Sequence, residues 1–298
     1  MTSSLSLLAA TDFSAPARHA LERAAQLATA HPGAQLTLAH VVSASMLARL
    51  RGVMRDEAPA MEARVAADTQ QTLTDLATRL STQYACPIDT RLAQGVALDA
   101  ITDLADELQA NLLIMGARGA NFVREFLLGS TTERVLRRTR RPVLAVKHRP
   151  QGAYRRVLVP VDFSAHALAA TQTAHRWLPD AEIILLHAYE VDIESTLRFS
   201  GIADEQIHQY RARAREDALD SMAQFVDQLS IPAGQLTRLV VHGAPILRIL
   251  EHEQSLDVDL IAMGKHGQST LEELLLGSVT KHVLSYCSSD VLVAGHPA

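Results

Sequence analysis

One spaced motif occurs twice in the chain, and it constrains the fold more than any other feature. Residues 115–136 read MGARGANFVREFLLGSTTERVL and residues 263–284 read MGKHGQSTLEELLLGSVTKHVL. Both are G-x-x-G, nine residues, Gly-Ser: Gly116, Gly119, Gly129 and Ser130 in the first copy, Gly264, Gly267, Gly277 and Ser278 in the second, each pair offset by 148. An apolar run precedes each first glycine, Leu112 to Met115 and Leu260 to Met263, and an amphipathic pattern follows each Gly-Ser, which predicts strand, loop, helix. Glycines let backbone N–H groups approach a ligand with no Cβ in the way, and a helix start adds unused donors and the positive end of its dipole. That arrangement suits a phosphate. The structural alternative is that Gly116 and Gly264 only turn the chain while Ser130 and Ser278 only cap helices; identical spacing in two copies weighs against it.

The repeat extends beyond the motif. Asp12-Phe13-Ser14 and Asp162-Phe163-Ser164 are offset by 150, each behind a short apolar run (Leu5 to Ala10, Val157 to Val161) and ahead of a helical pattern, Pro16 to Ala30 and on to about Trp177, with Ser14 a candidate N-cap. Asp12 and Asp162 stand where open parallel sheets bind ligands, at the end of a first strand, or else cap the turn that follows. Strand-length runs follow at Gln35 to Val42 and Glu182 to Tyr189; His40 and His187 within them read as hydrogen-bonded core histidines. The next stretches, Ser45 to Ser81 and Ile193 to Ser230, are helical in composition, with a less regular start, about Ala44 to Ala58 and Ile193 to Ile202, that reads as a plain loop or as a flap over the site. Strands at Pro87 to Ala93 and Gln235 to Val241, helices at Ala97 to Gln109 and Pro245 to Gln254, final helices from Ser130 and Ser278, and final strands at Val143 to Val146 and Val291 to Ala294 complete each half.

Strands alternating with helices imply an α/β fold with a parallel sheet, right-handed crossovers and helices on both faces. A length of 298 residues suits two domains of about 150, and Pro150-Gln151-Gly152 is a natural linker, so the expected domains are 1–150 and 151–298. Hydrophobic content of 48% allows each to bury a core. No apolar run approaches the roughly 20 residues of a membrane helix, and the N-terminus lacks the basic flank of a signal peptide; the cytoplasm is expected. Cys86 and Cys287 sit at unrelated places and form neither a disulfide framework nor a zinc pattern. Residues 1–150 hold 17 Lys+Arg against 14 Asp+Glu, net +3, leaving 11 against 19, net −8, for the rest. The basic run Arg134, Arg137, Arg138, Arg140, Arg141 reads as complementing a helix C-terminus; without an aromatic platform beside it, nucleic acid is not the expected partner.

The spaced glycine motif behind an apolar strand resembles the nucleotide loop of the universal stress protein family, in its ATP-binding branch, and the resemblance covers nearly the whole chain as two tandem domains. It implies two doubly wound, five-stranded parallel-sheet domains, adenine nucleotide alpha hydrolase-like, with strand order 3-2-1-4-5. The expected ligand is ATP with Mg2+. The resemblance assigns its contacts to Asp12, Val41, Gly116, Arg118, Gly119, Gly129, Ser130 and Thr131 in the first half. In the second half it assigns them to Pro160, Asp162, Ala188, Gly264, His266, Gly267, Gly277, Ser278 and Val279. The aspartates would lie beside adenine and ribose, and Val41 and Ala188 would touch adenine through their backbone. Ala10, where the second half has Pro160, is a departure. Arg118, Lys265 and His266 either add charge to the site or are solvated loop residues.

Ser130 with Glu133 also forms S-x-x-E, a capping box, and Lys281 takes the place of Glu133 in the second copy, which is mildly unfavourable beside a helix start unless an anion is bound. No G-x-x-x-x-G-K-[ST] loop, kinase set or nucleophile elbow is present. His242 and His266 invite a metal, but no H-x-x-x-H or C-x-x-C supports one. The expected function is a nucleotide-dependent stress or regulatory module read by a protein partner. Two alternatives stand beside it: a slow ATPase in which Asp12 or Asp162 positions water, and a scaffold working through its surfaces without nucleotide. The last strands of the two halves are expected to pair antiparallel within the chain as an intramolecular pseudo-dimer, with a homodimer of the whole unit also open.

Overall fold

The computed structural model describes residues 5–119, 128–190, 204–267 and 276–294. The chain forms two compact units, Met1–Ala153 and Tyr154–Ala298. The first runs β1 (Ser6–Thr11), α1 (Ala15–Ala30), β2 (Gln35–Ser43), α2 (Ala44–Met54), a 3-10 turn, α3 (Ala58–Tyr84), β3 (Ile88–Gly95), α4 (Ala97–Glu107), β4 (Leu112–Gly116), α5 (Ser130–Arg138) and β5 (Val143–Val146). Its sheet has the order β3-β2-β1-β4-β5, with β1 parallel to β2 (Ser6 opposite Gln35) and to β4 (Leu7 opposite Leu112). The expected 3-2-1-4-5 order is the observed one.

The second unit runs β6 (Arg156–Pro160), α6 (Ala165–Trp177), β7 (Glu182–Tyr189), α7 (Asp204–Val226), a 3-10 turn, β8 (Leu236–His242), α8 (Pro245–Ser255), β9 (Leu260–Gly264), α9 (Ser278–Tyr286) and β10 (Asp290–Ala294). Its strands are likewise parallel, in the order β8-β7-β6-β9-β10. Helices cover both faces of such a sheet, so its central strands are apolar throughout rather than alternating. Leu7, Leu8 and Ala9 of β1 and Val157, Leu158 and Val159 of β6 are wholly buried.

Ser14 caps α1 as expected, its Oγ accepting the Ala17 N–H at 3.3 Å, and Ser164 caps α6 in the same way at 3.2 Å. The stretch from about Ala44 to Ala58, read as a plain loop or a flap, is not a plain loop: Ala44–Met54 form a helix, α2. Only Leu47 of its side chains is buried, so no apolar stripe announced it. The equivalent stretch from Ile193 to Ile202 lies outside the described residues. The basic run makes structural ion pairs: Arg137 with Glu133 at 2.6 Å within α5, and Arg138 with Asp99 at 2.5 Å and Arg141 with Asp106 at 3.1 Å, which tie the end of α5 and the turn after it to α4. Cys86 and Cys287 are both buried and free, and burial pushes the Cys86 thiol pKa up. Among the described residues no helix is long and apolar enough to cross a membrane.

Candidate functional site

In both units the strand order reverses between the first and fourth strands, β1 and β4 or β6 and β9, and an open sheet leaves a crevice at the carboxyl ends of its strands there. The first unit has a cavity of about 420 Å3 at this point, lined by Asp12, Val41, Gly116, Arg118, Gly119, Gly129, Ser130 and Thr131 among others. The second has one of about 740 Å3, lined by Pro160, Asp162, Ala188, Gly264, His266, Gly267, Gly277, Ser278 and Val279 among others. The residues the resemblance assigns thus line the cavity of their own unit, and Lys265, also weighed as a site cation, is not among the wall residues. Lys265 does not behave as a solvated loop residue: it is 7% exposed, as is His266.

Asp12 does two things at once. Its Oδ1 accepts the Ser14 N–H at 3.0 Å, closing the turn, and its Oδ2 faces the glycine loop, 3.1 Å from where a Cβ on Gly119 would stand. Asp162 repeats this with Ser164 (3.1 Å) and Gly267 (2.8 Å). The turn-capping and site-facing alternatives are both realised, one on each carboxylate oxygen. Between aspartate and serine, Phe13 and Phe163 hold φ of 63°, a left-handed conformation disfavoured for an aromatic residue. Stacking offsets that cost: the Phe13 ring lies 4.3 Å from the His40 ring, and Phe163 the same distance from His187. Nδ1 of His40 is 2.7 Å from the Thr11 carbonyl and Nδ1 of His187 is 2.8 Å from that of Val161. A carbonyl only accepts, so Nδ1 carries the proton in both. Burial lowers the His40 pKa, against smaller opposing effects of the Thr11 carbonyl and the Asp12 charge.

The loop glycines are there for space. None of the six has a positive φ, so none is needed to turn the chain. A Cβ on Gly116 would meet the Arg118 and Pro16 backbones at 3.0 Å, and one on Gly264 would stand 2.7 Å from Cβ of His166. Gly129 and Gly277 close the loop, donating their N–H to Ala117 at 2.7 Å and Lys265 at 3.0 Å. Thr132 and Thr280 lock the junction by donating to the Gly116 and Gly264 carbonyls at 2.8 and 3.0 Å. Sequence reading passed over these threonines and the two phenylalanines, although identity at equivalent positions of both copies was a usable signal.

The capping box is not formed. Gly129, extended at φ −62° and ψ 138°, occupies the N-cap of α5, so Ser130 is already helical and Glu133 turns to Arg137. Gly277 likewise caps α9, with Ser278 its first helical residue. Neither helix has a side-chain hydrogen bond at its cap, unlike α1 and α6, and both open onto a cavity. Of the histidines weighed for metal, His266 packs edge-on to His166 with ring centroids 5.5 Å apart, and His242 packs on Tyr189 at 5.4 Å. Among the described residues no group of three or more His, Cys, Asp or Glu is arranged to hold a metal ion.

An open parallel sheet with a crevice at its switch point, lined by the motif glycines and a helix start, and built twice in one chain, defines a tandem doubly wound α/β protein. The model of the universal stress protein family matches residues 6–147 and again 153–295, and the chain belongs to that family. A universal stress protein of Methanocaldococcus jannaschii is 32% identical over 152 residues, covering 47% of this chain and 94% of its own length. One from Mycolicibacterium smegmatis is 24% identical over 293 residues and 96% of both chains. The crystal structure of a universal stress protein from Archaeoglobus fulgidus superposes over 98% of this chain and 99% of its own with a TM-score of 0.72 at 20% identity, a likeness of fold.

Proposed function

We propose that each half, residues 1–150 and 151–298, binds an adenine nucleotide, ATP with Mg2+, in the manner of the ATP-binding branch of the family, and that the occupied state is read by a protein partner in the cytoplasm under stress. The observation that supports this most is the contrast between helix starts. Serine side chains cap α1 and α6, whereas α5 and α9 start at a cavity wall with a glycine at the N-cap and no side-chain acceptor. Their first amides and dipole ends are suited to phosphate oxygens. Across each cavity an aspartate oxygen is turned toward the glycine loop, where ribose hydroxyls are expected. The β1–β2 ladder ends at Thr11 opposite His40, and β6–β7 at Pro160 opposite Leu186, leaving the strand edges at Val41 and Ala188 for an adenine ring. A metal ion would ride on the phosphates with few protein ligands, in keeping with the donor set here.

Mass spectrometry of nucleotide released from purified protein, together with calorimetry, tests the proposal, with two ATP per chain expected. In Gly277→Val the Cβ meets nothing closer than 3.5 Å, so the added methyls act mainly in the cavity and the stoichiometry should fall to one. Unchanged stoichiometry and affinity would refute the second site. No binding at all in the native chain would leave the scaffold reading in its place.

A further inference from the structure

The two cavities are built to one plan but differ in the cation each presents. At the second residue after the motif's first glycine the first unit has Arg118, half-buried on the cavity wall, and the second has His266, 7% exposed on its wall. The guanidinium is charged at every physiological pH; the imidazole changes charge between about pH 5 and 8. A second replacement accompanies the first. Where Pro16 closes over Gly116, His166 closes over Gly264, and its ring meets that of His266 edge-on at 5.5 Å, a pairing the first unit has no counterpart for.

The ionisable groups on the second cavity's wall or against His266 come from several elements. Asp162, past the end of β6, turns Oδ2 to Gly267; α6 supplies His166; β7 supplies His187, and Glu190 follows it; α7 supplies Asp217. Lys265 is the adjacent buried cation, and the α8 side chains on the wall, Pro245 and Ile249, are apolar. Three carboxylates thus face a polyphosphate in this cavity, and among the described lining residues the positive charge available to it is imidazole.

Resting on the nucleotide reading above, we propose that the second site is gated by proton concentration: His266 takes up a proton when a polyphosphate binds, so ATP affinity there rises as pH falls through the imidazole range, while the first site, served by Arg118, does not follow. By linkage, a bound polyanion that raises the proton affinity of His266 by one pH unit is itself bound about tenfold more tightly in the protonated state. The chain then fills its sites in an order set by pH, the second joining on acidification.

The test measures ATP affinity by calorimetry from about pH 8 to about pH 5.5 in Gly129→Val, which leaves the second site, and in Gly277→Val, which leaves the first. ATP and its magnesium complex titrate in the same range, but equally for both sites, so the ratio of the two affinities is the readout. That ratio should shift about tenfold toward the second site on acidification. His266→Arg should bind ATP with the ratio no longer pH-dependent, and His266→Gln should lose the acid gain. NMR of the assigned His266 imidazole in the native chain, showing proton uptake on adding ATP, keeps the test open if either variant fails to fold. Binding at both sites with a flat ratio and no proton uptake overturns the gating alone. Absence of ATP binding in every form and at every pH overturns the nucleotide reading and the gating with it.

Discussion

A Cβ added at Gly264 would stand 2.7 Å from Cβ of His166, whereas one added at Gly277 would have 3.5 Å to its nearest neighbour. Two glycines of one motif therefore differ: packing requires the first, whereas packing leaves room for a side chain at the second. Gly264→Ala should cost about 1–3 kcal/mol, the scale of overpacking, while Gly277→Ala costs only about 0.5–1 kcal/mol, the scale of exchanging glycine for alanine at a helix N-cap. Urea unfolding followed by Trp177, buried and the only tryptophan in the chain, reads the second unit directly. Equal costs would refute the distinction. His40 gives a second expectation. Burial holds its pKa below the usual 6.5, so the folded chain binds fewer protons there than the unfolded one. Its contribution to stability is present above about pH 6.5 and is lost as pH falls through the folded value. His40→Gln should accordingly flatten the acid-side loss of stability, seen as a smaller shift in urea midpoint between neutral and mildly acid pH; an unchanged shift would refute it. The sequence placed Asp12 and Asp162 at the site but left open whether they cap the turn. Only coordinates separate the two oxygens of one carboxylate.

Among elements, those with a strong apolar signature were legible. Glu182 to Tyr189, Val143 to Val146 and the helix start at Ser130 were read with the bounds they have, because a mostly apolar run or a glycine-set start marks them. Helix α2, with one buried side chain, left no such pattern. The capping box failed for a local reason: glycine had already taken the extended cap position that Ser130 needed. A different element contact was invisible in sequence because its partners lie far apart. Glu253 of α8 is 3% exposed, and its Oε1 accepts from the backbone N–H of Ser288 and Ser289 at 2.7 and 2.6 Å and from both serine hydroxyls at 3.0 and 2.7 Å. This carboxylate pins the turn between α9 and β10. Glu253→Leu strands those donors and should cost about 3–5 kcal/mol, the scale of breaking a buried charged network. A loss under about 1 kcal/mol in the Trp177 transition would show that the turn finds other partners.

For the whole molecule, the repeat that organises the sequence also gives two cavities, of about 420 and 740 Å3, one in each unit, with a net charge of +3 on the first 150 residues and −8 on the remainder. The halves share a plan and differ in electrostatic setting, so their affinities should differ. The aspartates are what the two halves share. Each carboxylate is already held by a serine N–H, Ser14 or Ser164, with its second oxygen set toward the loop before any ligand arrives. The rotamer freedom of that side chain is surrendered when the chain folds rather than when nucleotide is captured. Capture then needs no slow rearrangement of this group. In stopped-flow with a fluorescent ATP analogue, observed rates should rise linearly with nucleotide concentration at both sites, with faster entry at the first, whose half carries the positive net charge. A rate that saturates with concentration would reveal a closing step instead. For the proposed sites, arrival would then be set by the charge around each cavity rather than by any movement of the aspartate, and a partner reading the protein would find the first site filled before the second.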